Sequence, residues 1–150
     1  MISVRRYSKA GSQSMGPVRV RVKLTNTLDE YFVEQGQLDP SEVHTCEIDA
    51  LVDRRRMRTF LPVDVVRQLD LRIWRQEVVK FADGSEKVLS HSESVKIELL
   101  GRETSVDTIV AGDEVVIGQV VLELLDLVVD EENQRVIPNP AHPNGPVFRI

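Results

Sequence analysis

The chain has 150 residues, 41% of them apolar and 5% aromatic, with a net charge of −5 and a single cysteine, Cys46. That is the length of one domain, and a lone cysteine excludes both an intrachain disulfide and a cysteine-cluster zinc site. The acidic balance weakens a general case for nucleic-acid binding, no apolar run nears the roughly 20 residues that span a bilayer, and one thiol fits a reducing cytoplasmic setting.

Residues 1–15 are polar, rich in Ser and aperiodic, which predicts a disordered tail ahead of a domain over 16–150. The basic residues there precede no apolar stretch, so no signal peptide is expected. Alternation then begins: Val18, Val20, Val22 and Leu24 point one way and Arg19, Arg21 and Lys23 the other, the pattern of a half-buried strand. Turn signals fill 25–41 around a short amphipathic stretch, Leu28 to Glu34. A second strand, Val43 to Val52, runs straight into Asp53 and puts that aspartate at a strand end. Four arginines follow at 54, 55, 56 and 58, a basic knot in an acidic chain.

Thr59-Phe60-Leu61 resumes the apolar pattern, and Pro62 suits the first position of a helix carrying Val65, Val66 and Leu69 on one face. Val78–Phe81 and Lys87–Leu89 flank Ala82-Asp83-Gly84-Ser85, where Asp-Gly predicts a hairpin turn with both residues at positive φ. A second hairpin is expected from Val95, Ile97 and Leu99, a turn at Gly101-Arg102, and a return over Val106 to Val110. Val115-Val116-Ile117 leads into Gly118. A short helix follows over Val120 to Leu125, with Val121, Leu124 and Leu125 on its buried face. Leu127–Val129 and Arg135–Ile137 make a last strand pair, and Pro138 to Pro146, with four prolines, reads as extended. The sum is a mainly β chain with two short helices.

By residue type alone, Asp53 is a strand-end carboxylate of structural use, Asp83-Gly84 a turn, and Gly118 a packing glycine. An arginine run is ordinarily solvated surface or a nucleic-acid contact, although this one lies between two apolar segments. His44, His91 and His142 stand at separations that no metal motif uses, so they are expected at the surface, with no metal and no cofactor. Trp74 is expected in the core.

The order of these parts resembles that of retroviral-like (retropepsin-like, clan AA) aspartic peptidases, in particular the bacterial type. Ala50-Leu51-Val52-Asp53 is similar to the approach to the catalytic aspartate, Phe81 to Leu89 to the flap, and Val95 to Gly101 to the hairpin behind it. Val116-Ile117-Gly118-Gln119 followed by Val120–Leu125 resembles the apolar-Gly-helix element. Leu125 to Asp130 and Ile137-Pro138-Asn139-Pro140-Ala141-His142-Pro143 resemble the last strands and tail. The resemblance implies a retropepsin-like acid-protease β-barrel, and an endopeptidase activity in which each protomer of a homodimer gives one Asp53. It also implies substrate contacts at Ala82, Asp83 and Gly84 of the flap and at Ile117 and Gly118.

One departure falls on the diagnostic loop, where the family has Thr or Ser, then Gly, then usually Ala after the aspartate. Here stand Arg54, Arg55 and Arg56. Two carboxylates about 3 Å apart work by sharing a proton. Arginine is a donor only and cannot replace the hydroxyl that ties the loops, and a Cβ at 55 occupies space that glycine leaves open. Adjacent guanidinium also favours full ionisation. The resemblance therefore implies a peptidase-fold protein that is inactive or impaired, a pseudoenzyme, with a homodimer weakened by like charge. The alternative is a non-catalytic module that holds an extended peptide under the flap. In both, the partner is a peptide or protein, with no nucleic acid and no membrane.

Overall fold

The computed structural model describes residues 17–148 and 150; the tail expected over 1–15 lies outside them. β1 (Val18–Asn26) buries Val18, Val22 and Leu24 and exposes Arg19, Arg21 and Lys23, as its alternation dictates. It lies between β2 (Thr45–Val52) and β6 (Val95–Leu99), antiparallel to both, with Val18 opposite Val52 and Leu24 opposite Cys46 and Ile97.

Between β1 and β2 run helix α1 (Thr27–Glu34) and a 3-10 turn (Pro40–Glu42). After β2 come β3 (Phe60–Leu61), α2 (Val63–Gln68), and the hairpin of β4 (Ile73–Lys80) and β5 (Glu86–Ser92). Then follow β7 (Arg102–Val106), β8 (Ile109–Val110), β9 (Val116–Ile117) and α3 (Gln119–Leu125). The chain continues into a separate antiparallel pair, β10 (Leu127–Asp130) with β11 (Arg135–Pro138).

The first nine strands form one mixed sheet, ordered β4-β5-β8-β3-β9-β2-β1-β6-β7. Its parallel pairs are β2 with β9 and β3 with β8. Leu24, Ala50, Leu61, Leu69, Ile97, Val115, Ile117 and Leu125 make the centre of the core. Among the described residues, no helix is long and apolar enough to cross a membrane.

Several expectations need correction. Among the described residues there are three α-helices rather than two, because Asn26 caps the 27–34 stretch by accepting from the Asp29 N–H at 3.1 Å. The turn between β4 and β5 is not the two-residue form. Phe81 and Ser85 close it through a 2.8 Å N–H···O bond, the Gly84 N–H returns to the Phe81 carbonyl, and only Gly84 has positive φ. The turn with two positive-φ residues is Leu100-Gly101 instead. That places the return strand at 102–106 and leaves 109–110 as a separate strand between β5 and β3.

On α3, Val121, Leu122 and Leu125 are buried and Leu124 is exposed, a shift of one position around the helix. Trp74 is 53% exposed: β4 is an edge strand, and the ring carries the Arg75 guanidinium 5.4 Å from its centroid. His91 is buried rather than at the surface, with Nε2 2.6 Å from Glu77 on the neighbouring strand. The segment after Pro138 is folded into turns rather than extended.

Candidate active site

β2 delivers Asp53 to its position. The parallel register with β9 sets Val52 beside Ile117, and the ladder continues one step further as the Asp53 N–H donates to the Ile117 carbonyl at 3.0 Å. The next residues leave the sheet as a loop held by backbone donors at the start of α3. Gln119 N–H reaches the Arg56 carbonyl (2.7 Å), Val120 N–H the Met57 carbonyl (3.1 Å), and Gly118 N–H the buried Thr59 hydroxyl (3.1 Å). These amides would have no partner inside the helix.

Gly118 is the contact point. A Cβ there would stand 2.3 Å from the Arg58 carbonyl oxygen and 2.8 Å from that of Met57, both backbone atoms. Three of the expected site residues, Asp53, Ile117 and Gly118, are thus brought together. The requirement for glycine is close approach, since its φ of −93° is open to any residue.

The arginine run wraps the aspartate. Arg55 donates to Asp53 Oδ1 from its backbone N–H and from Nε, each at 3.0 Å, and from Nη2 to Oδ2 at 3.3 Å. Arg56 Nε lies 3.4 Å from Oδ2, and its guanidinium sits 4.9 Å over the Phe60 ring. Arg54 pairs with Glu131 in the β10–β11 turn, and Arg58 with Asp107 at 3.9 Å. Under this cover the Asp53 side chain is only 12% exposed. Burial pushes its carboxyl up, but the Arg55 hydrogen bonds and the charges of Arg55 and Arg56 outweigh that and hold it below the ordinary carboxylate range. Chemically, this is a carboxylate held ionised with both oxygens engaged. Arg55 therefore turns back onto its own Asp53, where the sequence suggested only bulk directed at a partner loop.

The comparisons with known proteins bear on the fold. No protein-family model matches the chain, and no curated protein does. Among solved structures, the retroviral protease-like domain of Ddi1 from Leishmania major is similar at a TM-score of 0.50 and 11% identity, over 83% of this chain and 89% of that one. The fold is retropepsin-like.

Two other solved structures of this kind are similar at lower TM-scores. EIAV protease in complex with the inhibitor HBY-793 gives 0.45 at 12% identity, over 79% of this chain and 94% of that one. A retropepsin-like aspartic protease from Rickettsia conorii gives 0.42 at 13% identity, over 85% and 91%.

Ala82-Asp83-Gly84 stands at the tip of the β4–β5 hairpin, and its hydrogen bonds stay within the turn. Asp83 Oδ1 accepts from the Ser85 hydroxyl at 2.6 Å and from its N–H at 2.9 Å. No bond joins the tip to Asp53 among the described residues. Beside the loop, Arg58, Thr59, Trp74, Arg75, Asp107 and Val120 line a cleft of about 350 Å³. Its arginines are paired with Asp107 and Glu77, so it carries little charge bias. Among the described residues, no group of three or more His, Cys, Asp or Glu could hold a metal ion.

Sequence reasoning did not find Glu131 or the anchoring role of Thr59. Glu131 lies 77 positions from its partner, and nothing local marks it. Thr59 stood out only as the start of an apolar run, although a hydroxyl there next to buried residues was a usable signal.

Proposed function

We propose that this chain is a retropepsin-like aspartic-peptidase protein whose Asp53 centre does not carry peptide-bond hydrolysis forward, an inactive or impaired endopeptidase. The supporting observation is the grip of Arg55 on both oxygens of Asp53. Aspartic-dyad hydrolysis needs one carboxylate as base and one protonated carboxyl as acid, made available by two like groups sharing a proton. A carboxylate held below its usual range by two guanidinium groups gives up that proton. Its lone pairs are also spent on Arg55 rather than on a water. In this reading the homodimer of the resemblance is weakened by the charges of Arg54, Arg55 and Arg56, while Ala82, Asp83, Gly84, Ile117 and Gly118 keep the places of substrate contacts.

The test is cleavage of a fluorogenic peptide library between pH 3 and pH 8. The chain as it stands should give no turnover, and Arg54→Thr/Arg55→Gly/Arg56→Ala should gain turnover that Asp53→Asn removes again. Clear turnover by the unaltered chain, abolished by Asp53→Asn, would contradict the proposal.

A further inference from the structure

The Asn139-Pro140-Ala141-His142 stretch, singled out by its resemblance but given no role by the Asp53 site, converges on one distant carboxylate. Helix α3 ends at Leu125, and Asp126 follows in the left-handed region at φ 54° and ψ 48°. Its backbone carbonyl accepts from the Asn139 N–H at 3.0 Å and from Arg102 Nη1 at 2.9 Å. The same Arg102 nitrogen also reaches the Leu125 carbonyl at 2.8 Å.

The side chain of Asp126 gathers the segment that follows β11. Oδ1 accepts from Asn139 Nδ2 at 3.0 Å, while Oδ2 stands 2.8 Å from His142 Nδ1 and accepts from the Val147 N–H at 3.1 Å. Asn139 is oriented for this, because its own Oδ1 is occupied by the Ala141 N–H at 3.0 Å. The His142 N–H closes the turn on the Asn139 carbonyl at 2.9 Å. The Asp126 side chain is 12% exposed.

We infer that residues 139–147 form a C-terminal strap that Asp126 latches while ionised and releases when protonated. Three donors meet two oxygens, and an ionised carboxyl is acceptor only, which is what that arrangement requires. Protonation places an O–H against a donor and removes the charge that strengthens all three bonds. His142 donates from Nδ1 in either its neutral or its charged form, so the latch holds whether or not the ring is protonated. Among the described residues, the charged and titratable groups that touch Asp126 are His142 from the strap and Arg102 from β7, the latter through carbonyls.

The carboxyl lies below the ordinary carboxylate range, chiefly through the Asn139 hydrogen bond and then that of Val147. A depressed folded value means that the latch is complete above the free carboxyl's range and is lost as pH falls through the folded value.

NMR of the full chain tests this. On acidification, the Asn139 and Val147 amide signals should leave their native positions together, below the usual carboxylate range, while Leu24 and Ile97 in the core stay put. Asp126→Asn, which tolerates the left-handed backbone, should lose the native Val147 signal already at pH 7. His142→Ala, which keeps the carboxylate but removes one donor, should move the release to higher pH. A native Val147 signal in Asp126→Asn at pH 7, an unmoved release in His142→Ala, or a strap that leaves only as Leu24 and Ile97 leave, would overturn the inference.

Discussion

At the scale of single residues, the Asp53 loop rests on one close approach. Gly118 meets the Arg58 and Met57 carbonyls with no space for a side chain, and the three amides that begin α3 depend on that distance. Gly118→Ala drives a methyl into backbone, which cannot rotate away. It should cost about 3 kcal/mol, the upper part of the range for overpacking, or roughly 6–12 °C in melting temperature for a chain of this size. A scanning-calorimetry loss under about 1 °C would show that the loop shifts freely and that α3 does not fix it. The arginines act differently. The Arg55 side chain is 68% exposed, so its pair with Asp53 contributes at most about 1 kcal/mol to stability, and its effect lies in the charge state of the carboxyl. Variants at 55 therefore probe chemistry with little cost in fold.

Asn26 shows how an element depends on what the sequence does not display. It closes β1, caps α1 through Oδ1, and donates from Nδ2 to the Leu69 and Asp70 carbonyls at the end of α2, at 2.9 and 3.2 Å. Asn26→Ala should cost about 2 kcal/mol, from a lost cap and two stranded carbonyls. Asn26→Asp keeps the cap but not the donors, so chemical denaturation should find it destabilised as well. Full stability in Asn26→Asp would reduce the residue to a cap. Period-2 alternation placed β1 and β6 from the sequence alone, and the run into Asp53 placed the end of β2, because each pattern reports one local backbone with one buried face. What failed was non-local. Trp74 lies on an edge strand, which only the sheet order decides, and His91 is buried because Glu77 meets it from the next strand. Leu124 missed by one step around a helix too short to fix its own phase. The proline-rich end folds because Asp126 gathers it, a partner 13 residues from Asn139.

At the scale of the whole molecule, the fold is retropepsin-like, and in the function proposed above the three arginines after Asp53 alter the electrostatics where two copies would meet. In the proposed homodimer, whatever stands at 54–56 would face its own copy, and repulsion there would not be screened within a Debye length of about 10 Å at 0.1 M salt. In the function proposed above, Asp53 is a single ionised carboxylate bound to Arg55 and not half of a proton-sharing pair. Carbon-13 NMR titration of the Asp53 carboxyl, at dilute and at concentrated protein, measures this directly. One transition is expected below the ordinary aspartate range, the same at both concentrations, moving upward in Arg55→Gly. A second transition raised above that range, growing with protein concentration in the unaltered chain, would mean that two Asp53 groups share a proton and would contradict the proposal.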